Sequence, residues 1–203
     1  MDHSKAKVIY WAIVALGFFV TGCTTVYRVP KEPVALNAVD KIDMTIELCL
    51  TDQLCNARWE KDGFAGDTFV LPIGSALCMN AEAVARTVFT NVIIIKDQAA
   101  SRNNAGDAVL IPSLAAIERD RPATIFSIQT TSILFSWTLN GPNDQPIWVT
   151  TIAGEGKGPM GRLYSEDAGY EQVEQALGEV FQKSFREITS SPLIREYAAN
   201  LHK

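Results

Sequence analysis

The stretch "ATIFSIQTTSILFSWTLNGPNDQPIWVTTIAGEG", residues 123–156, restricts the fold more than any other part of the chain. Ile133, Phe135, Trp137 and Leu139 take every second position, the period of a strand buried on one face. Phe126 and Ile128 lie in the opposite phase, which predicts a bulge between Gln129 and Ser132. "GPNDQP" reads as a turn and "IWVTTIAGEG" as the returning strand, so the segment is a long hairpin. A hairpin of this kind is marginal alone and needs a helix or a second sheet on its apolar face.

The C-terminal segment supplies that cover. Tyr170, Val173, Leu177, Val180, Phe181, Ser184 and Ile188 make one stripe at helical spacing, and Glu179 and Lys183 form an ordered i, i+4 pair. Ser191 is placed to cap a second short helix that starts at Pro192. Upstream, "KIDMTIELCL" alternates as a half-buried strand, and a long polar loop runs from Thr51 to Thr68. Ser75 is the expected N-cap of a helix over 76–89, carrying Leu77, Ala81, Val84, Ala85 and Val88 on one face. "NVIIIKD" reads as a central strand covered on both faces, and "GDAVLIPSLAAIE" as another strand. The predicted class is α+β: one mainly antiparallel sheet with a long hairpin, packed against two main helices as a two-layer sandwich.

The N-terminus points to an address. Lys5 and Lys7 precede thirteen apolar residues, Val8 to Val20, a run with the length of a signal-peptide core and short of the ~20 residues of a membrane span. Thr21 and Gly22 then lead to Cys23, and "VTGC" resembles the bacterial lipobox. That resemblance implies lipid attachment at Cys23 and cleavage before it. Residues 1–22 are then a lipoprotein signal peptide, 23–40 a lipidated flexible tether with Pro30 and Pro33, and 41–203 a single globular domain. Thr24 stands where an aspartate would imply inner-membrane retention, so the expected location is the outer membrane, facing the periplasm. Two acyl attachments hold such a protein stably, whereas one does not.

Several chemistries are unsupported. Losing Asp2, Lys5 and Lys7 takes the net charge from -5 to -6, and the densest basic stretches, "RWEKD" and "ERDR", carry their own acids, so nucleic acid is not an expected partner. His202 is the one histidine after the cleavage point, next to the C-terminus, which leaves no Ser-His-Asp triad, no metal set and no expected cofactor. Gly156, Gly158 and Gly161 fit G-x-G-x-x-G, but Pro159 interrupts the turn and no strand follows the next helix. Gly156 and Gly158 are therefore read as a flexible loop available to a partner. Trp137 and Trp148 belong in the hairpin core, whereas Trp59 stands in a polar loop and is the first choice for a contact residue. After Cys23 three cysteines remain; Cys49 and Cys55 are expected to pair across a short loop, leaving Cys78 as a free buried thiol.

The lipobox, the helix followed by "VFTNVIII", the hairpin ending in "IWVTTIAGEGKG" and the amphipathic "QALGEVFQKSFREI" together resemble small envelope lipoproteins of the LPS-assembly type. The resemblance implies a periplasm-facing, non-catalytic domain that acts by docking, with the membrane bound through Cys23 and an envelope protein as partner. The open hairpin edge or the Thr51–Thr68 loop would supply the partner surface. A lipid-, glycan- or small-molecule-binding module serving a transporter is the alternative, and it requires an apolar groove between sheet and helix.

Overall fold

The expected hairpin forms the core of the computed structural model, which describes residues 24–62, 68–97, 106–120, 130–158 and 166–201. Strands β7 (Thr130–Asn140) and β8 (Pro146–Lys157) pair antiparallel, and Ile133, Phe135, Trp137 and Leu139 are fully buried. A third long strand, β6 (Ala108–Arg119), pairs antiparallel with β7 on its other side. The segment holding Phe126, Ile128 and Gln129 lies outside the described residues. Within the described ladder the register shift falls on β6, between Leu114 and Ala116.

The remainder of the sheet departs from the expectation of antiparallel pairing. Strand β2 (Ile42–Cys49) is flanked by β5 (Phe89–Ile95) and β6, both parallel to it, giving the order β5-β2-β6-β7-β8. The sheet is therefore mixed, because helix α2 (Gly74–Val88) carries the chain back to the starting end of the sheet before β5 begins. "NVIIIKD" is an edge strand, not the central strand its composition suggested, and β2 lies in the interior of the sheet. Gly106, just ahead of β6, lies so close to β2 that a Cβ there would stand 2.9 Å from Glu47 Cγ. Glu47 and Cys49 are both buried, although the alternation of β2 assigns them to a solvated face.

A second, three-stranded sheet was not foreseen. Strand β1 (Thr24–Val26) runs parallel to β4 (Thr68–Leu71), which pairs antiparallel with β3 (Trp59–Asp62). Between β2 and β3 in the chain comes the short helix α1 (Asp52–Cys55), capped by Thr51 Oγ1 accepting from Leu54 N–H at 3.2 Å. Cys55 bonds Cys78, across a Cα–Cα distance of 5.4 Å, and Cys49 is the buried free thiol. The expected Cys49–Cys55 pair is thus corrected: α1 carries Cys55 against the first turns of α2, where it bonds Cys78, and Cys49 stays free. Burial, and secondarily Asp97, push the Cys49 thiol pKa up.

Both main helices are where their stripes put them. Leu77, Ala81, Val84, Ala85 and Val88 of α2 are buried, as are Val173, Leu177, Val180, Phe181, Ser184 and Ile188 of α3 (Glu166–Ser190). Phe181 lies 5.0 Å from the Phe135 ring, and Trp137 Nε1 donates to Ser184 Oγ at 2.9 Å, which satisfies the polar atom of a fully buried indole. Helix α4 (Pro192–Leu201) begins as expected, with Ser191 Oγ accepting from Ile194 N–H at 3.4 Å. Ser75 is not a cap; Ile73 holds that position without a side-chain bond. Gly74 sets the start of α2 instead: its N–H donates to Ala57 O at 2.8 Å, and a Cβ would stand 2.4 Å from Ala57 N.

Candidate docking surfaces

Residues 24–40, expected to be a flexible tether, lie against the domain. After β1, Tyr27 N–H donates to Val70 O at 2.8 Å, its ring stacks on Phe69 at 6.1 Å, and the Arg119 guanidinium lies 3.8 Å from its ring centroid. Gly169 makes room for this cluster, since a Cβ there would stand 2.7 Å from Tyr27 Cδ1. Further along, Val34 N–H donates to Asn80 Oδ1 at 2.7 Å; Asn80 is buried in α2 and donates in turn to Ala76 O at 2.8 Å. Val29, Val34, Leu36 and Val39 pack on the core. This strap follows α3 along its length: 27–35 lie by residues 170–178, 35–37 by 182–186, and 38–40 by 189–190.

Between the strap and the two main helices lies a cleft of about 810 Å³, lined among others by Tyr27, Arg28, Lys31, Tyr170, Glu174 and Gly178. Gly178 is part of its wall, and nothing stands within 4 Å of where its Cβ would be. The expected groove lay between sheet and helix; this cleft lies instead between the strap and the helices.

Gly156 and Gly158 are buried, not in a partner-binding loop. A Cβ on Gly154 would come 2.4 Å from Ala176 O, one on Gly156 1.8 Å from Gln172 O, and one on Gly158 2.0 Å from Gln172 Nε2. Alternate residues of β8 thus form a bare track on which the backbone of α3 rests, residues 172 and 176 being one helical turn apart. Gly161 lies outside the described residues. Trp59 is also reassigned: it opens β3 opposite Leu71 and is half-buried against the core. Cys23 lies outside the described residues, as do 1–22 and His202. The glycine track has a sequence signal, the G-x-G-x-G spacing of Gly154 and Gly156 within a strand and Gly158 just past its end, but it is legible only once the strand is extended to Lys157.

The two edges of the main sheet differ. On β8, Glu155 N–H donates to Glu179 Oε2 and Lys157 N–H to Gln175 Oε1, each at 2.7 Å, and Lys183 Nζ donates to Ala153 O at 3.0 Å. Side chains of α3 therefore occupy that edge from Ala153 to Lys157, and the hairpin edge expected to be open is half closed. Bonds to Lys183 first and to Glu155 N–H second hold the Glu179 carboxyl below its usual range. On β5, Ile95 O accepts from Leu50 N–H at 2.8 Å, so Ile95 and Ile93 turn their backbone polar groups toward β2 and Val92 and Ile94 turn theirs outward. Among the described residues no strand pairs with that outer edge, and Ile94 is 38% exposed. Among the same residues no group of three His, Cys, Asp or Glu is placed to hold a metal ion.

No family model matches the chain, and no curated protein matches it. Solved structures do. Protein XCC0632 of Xanthomonas campestris, described under the family-model name DUF330, is 14% identical, with 87% of this chain and 99% of that chain covered and a TM-score of 0.53. A minor lipoprotein of Acinetobacter baumannii is 12% identical over 81% of this chain and 96% of its own, with a TM-score of 0.37. Lipoprotein GNA1162 of Neisseria meningitidis is 10% identical over 72% and 99%, with a TM-score of 0.35. The likeness to the Xanthomonas protein, at this identity, is one of fold.

Proposed function

We propose that this chain is a lipid-anchored, non-catalytic accessory or assembly subunit of a cell-envelope complex, attached through Cys23 to the periplasmic face of the outer membrane. The observation that carries the docking role is the asymmetry of the sheet edges. Side chains close half of β8, whereas β5 presents "VIII", Val92 to Ile95, with outward-turned backbone groups. An uncovered apolar edge is normally blunted, and where it persists it suits the addition of a partner strand. The lipobox resemblance supports the address, and the single histidine after Cys23 supports the non-catalytic role. A photo-crosslinker at Ile94 in intact cells should capture one stoichiometric envelope partner, and Ile94→Pro, which removes an outward N–H, should abolish capture. Equal capture from exposed Val149 on the opposite edge, or none at Ile94, would refute the assignment.

The strap cleft supports a second reading, a binding module for a lipid, glycan or small molecule serving a transporter. Gly178→Phe would fill the cleft from an open position. A copurifying ligand that this substitution displaces, with no protein crosslinked at Ile94, would favour the binding module over the docking subunit.

A further inference from the structure

From the strap geometry we infer that the lipid does not leash this domain but mounts it rigidly, with one end, the three-stranded sheet, held against the bilayer headgroups. The inference rests on the lipid-anchored reading of Cys23. A free segment of residues 24–40 would let the domain reach up to about 60 Å from its anchor. The structure removes that reach. β1 begins at Thr24, the residue after Cys23, in register with Thr68, which itself faces Asp62. Even if β1 frays, Tyr27 is pinned by Val70, Phe69 and Arg119, and the four residues back to Cys23 span at most about 14 Å.

The domain also has a defined long axis. Arg119, which holds Tyr27, ends β6, whereas Asp107, whose carbonyl accepts from Tyr197 Oη of α4 at 2.8 Å, precedes its start. Twelve residues of strand separate these ends by roughly 36 Å. Helix α3 runs the same way over about 37 Å, its first turns by Tyr27 and its last by Asp40. Anchoring at Thr24 therefore sets Asp62 at the headgroups and the β7–β8 turn, with Asn143, at the far end.

The lipidated full-length protein, reconstituted in phosphatidylcholine vesicles containing a nitroxide-headgroup lipid, tests this with a fluorophore on Asp62→Cys or on Asn143→Cys. Cys49 is buried and Cys55 is bonded to Cys78, so the label goes to the introduced thiol. Quenching at position 62 should exceed that at 143 several-fold, and a twenty-residue Gly-Ser insert between Cys23 and Thr24 should erase the difference. Equal quenching of the two positions in vesicle-bound protein without the insert overturns the mount and leaves the lipid anchor standing. Protein that lacks acyl mass on Cys23 and does not float with the vesicles overturns both.

Discussion

Replacing Gly156 by alanine adds one carbon where the structure has no space for it. The new Cβ would stand 1.8 Å from Gln172 O, 2.7 Å from Gln172 C and 2.9 Å from Ala176 N, all backbone atoms of α3. No rotamer change relieves backbone contacts, so the helix must lift by more than 1 Å, about what restores an ordinary 3.2 Å separation. That helix buries Val173, Leu177, Val180, Phe181 and Ile188, so the lift loosens the whole layer. Overpacking of this kind costs about 1–3 kcal/mol, and the upper end applies where backbone must move. For a domain of this size about 3 kcal/mol lowers Tm by roughly 6–12 °C. Gly178→Ala in the same helix is the matched control: it meets open space and should stabilise by ~0.5–1 kcal/mol through helix propensity. Urea unfolding followed by tryptophan emission, to which Trp137 buried under α3 contributes, reads both variants. A Gly156→Ala protein within about 0.5 kcal/mol of the parent would refute the close helix–strand contact.

The other expectations are simpler to check. Thiol counting on residues 24–203, unfolded and non-reduced, should find Cys49 free; Cys78→Ser should destabilise by about 3 kcal/mol, the loop-closure value for a 23-residue separation. Finding Cys78 free in the parent would instead restore the Cys49–Cys55 pairing. Tyr27→Ala should leave the core folded yet expose residues 27–40 to limited proteolysis, and unchanged cleavage would mean that the strap is held without that cluster. Burial, and secondarily Asp107, raise the Tyr197 pKa, so its folded value lies above its unfolded one. Its contribution is complete below the usual phenol value of about 10 and is lost as pH rises through the folded value; Tyr197→Phe should flatten that alkaline fall in urea midpoint. Glu179 has the opposite sign: its carboxyl is held low, so its contribution is present above the usual carboxylate range and lost as pH falls, and Glu179→Gln should flatten the acid limb.

What the sequence made legible was local. The stripe of α3, the alternation of β7 and the Ser191–Pro192 start of α4 each follow from residues within a few positions of one another, and each is in place. What it hid depended on distant pairing. β2 carries a half-buried alternation, yet Glu47 is buried by Gly106, far along the chain. "VIII" has the composition of an interior strand and lies at an edge, because strand order is set by crossovers and not by hydrophobicity. Cys49 and Cys55 are near neighbours in sequence, but side-chain direction decided the bond. The strap has too little periodicity to read as structure; its order comes from Asn80, Phe69 and Arg119, none of which is local to it.

The strap and α3 come from opposite ends of the polypeptide and lie side by side along their full lengths. A chain delivered across a membrane N-terminus first can pair β1 with β4 early, but it cannot finish seating its first segment until α3 has arrived. During that interval Tyr27 has neither Arg119 nor Gly169 to meet, and the apolar side chains at 29, 34, 36 and 39 are open to a chaperone. Closure is a late step with high sequence separation, the slow class of folding event. On the lipid-anchored reading of Cys23, a truncation that removes α3 would leave the anchor on an unfinished domain and return the mount to a leash.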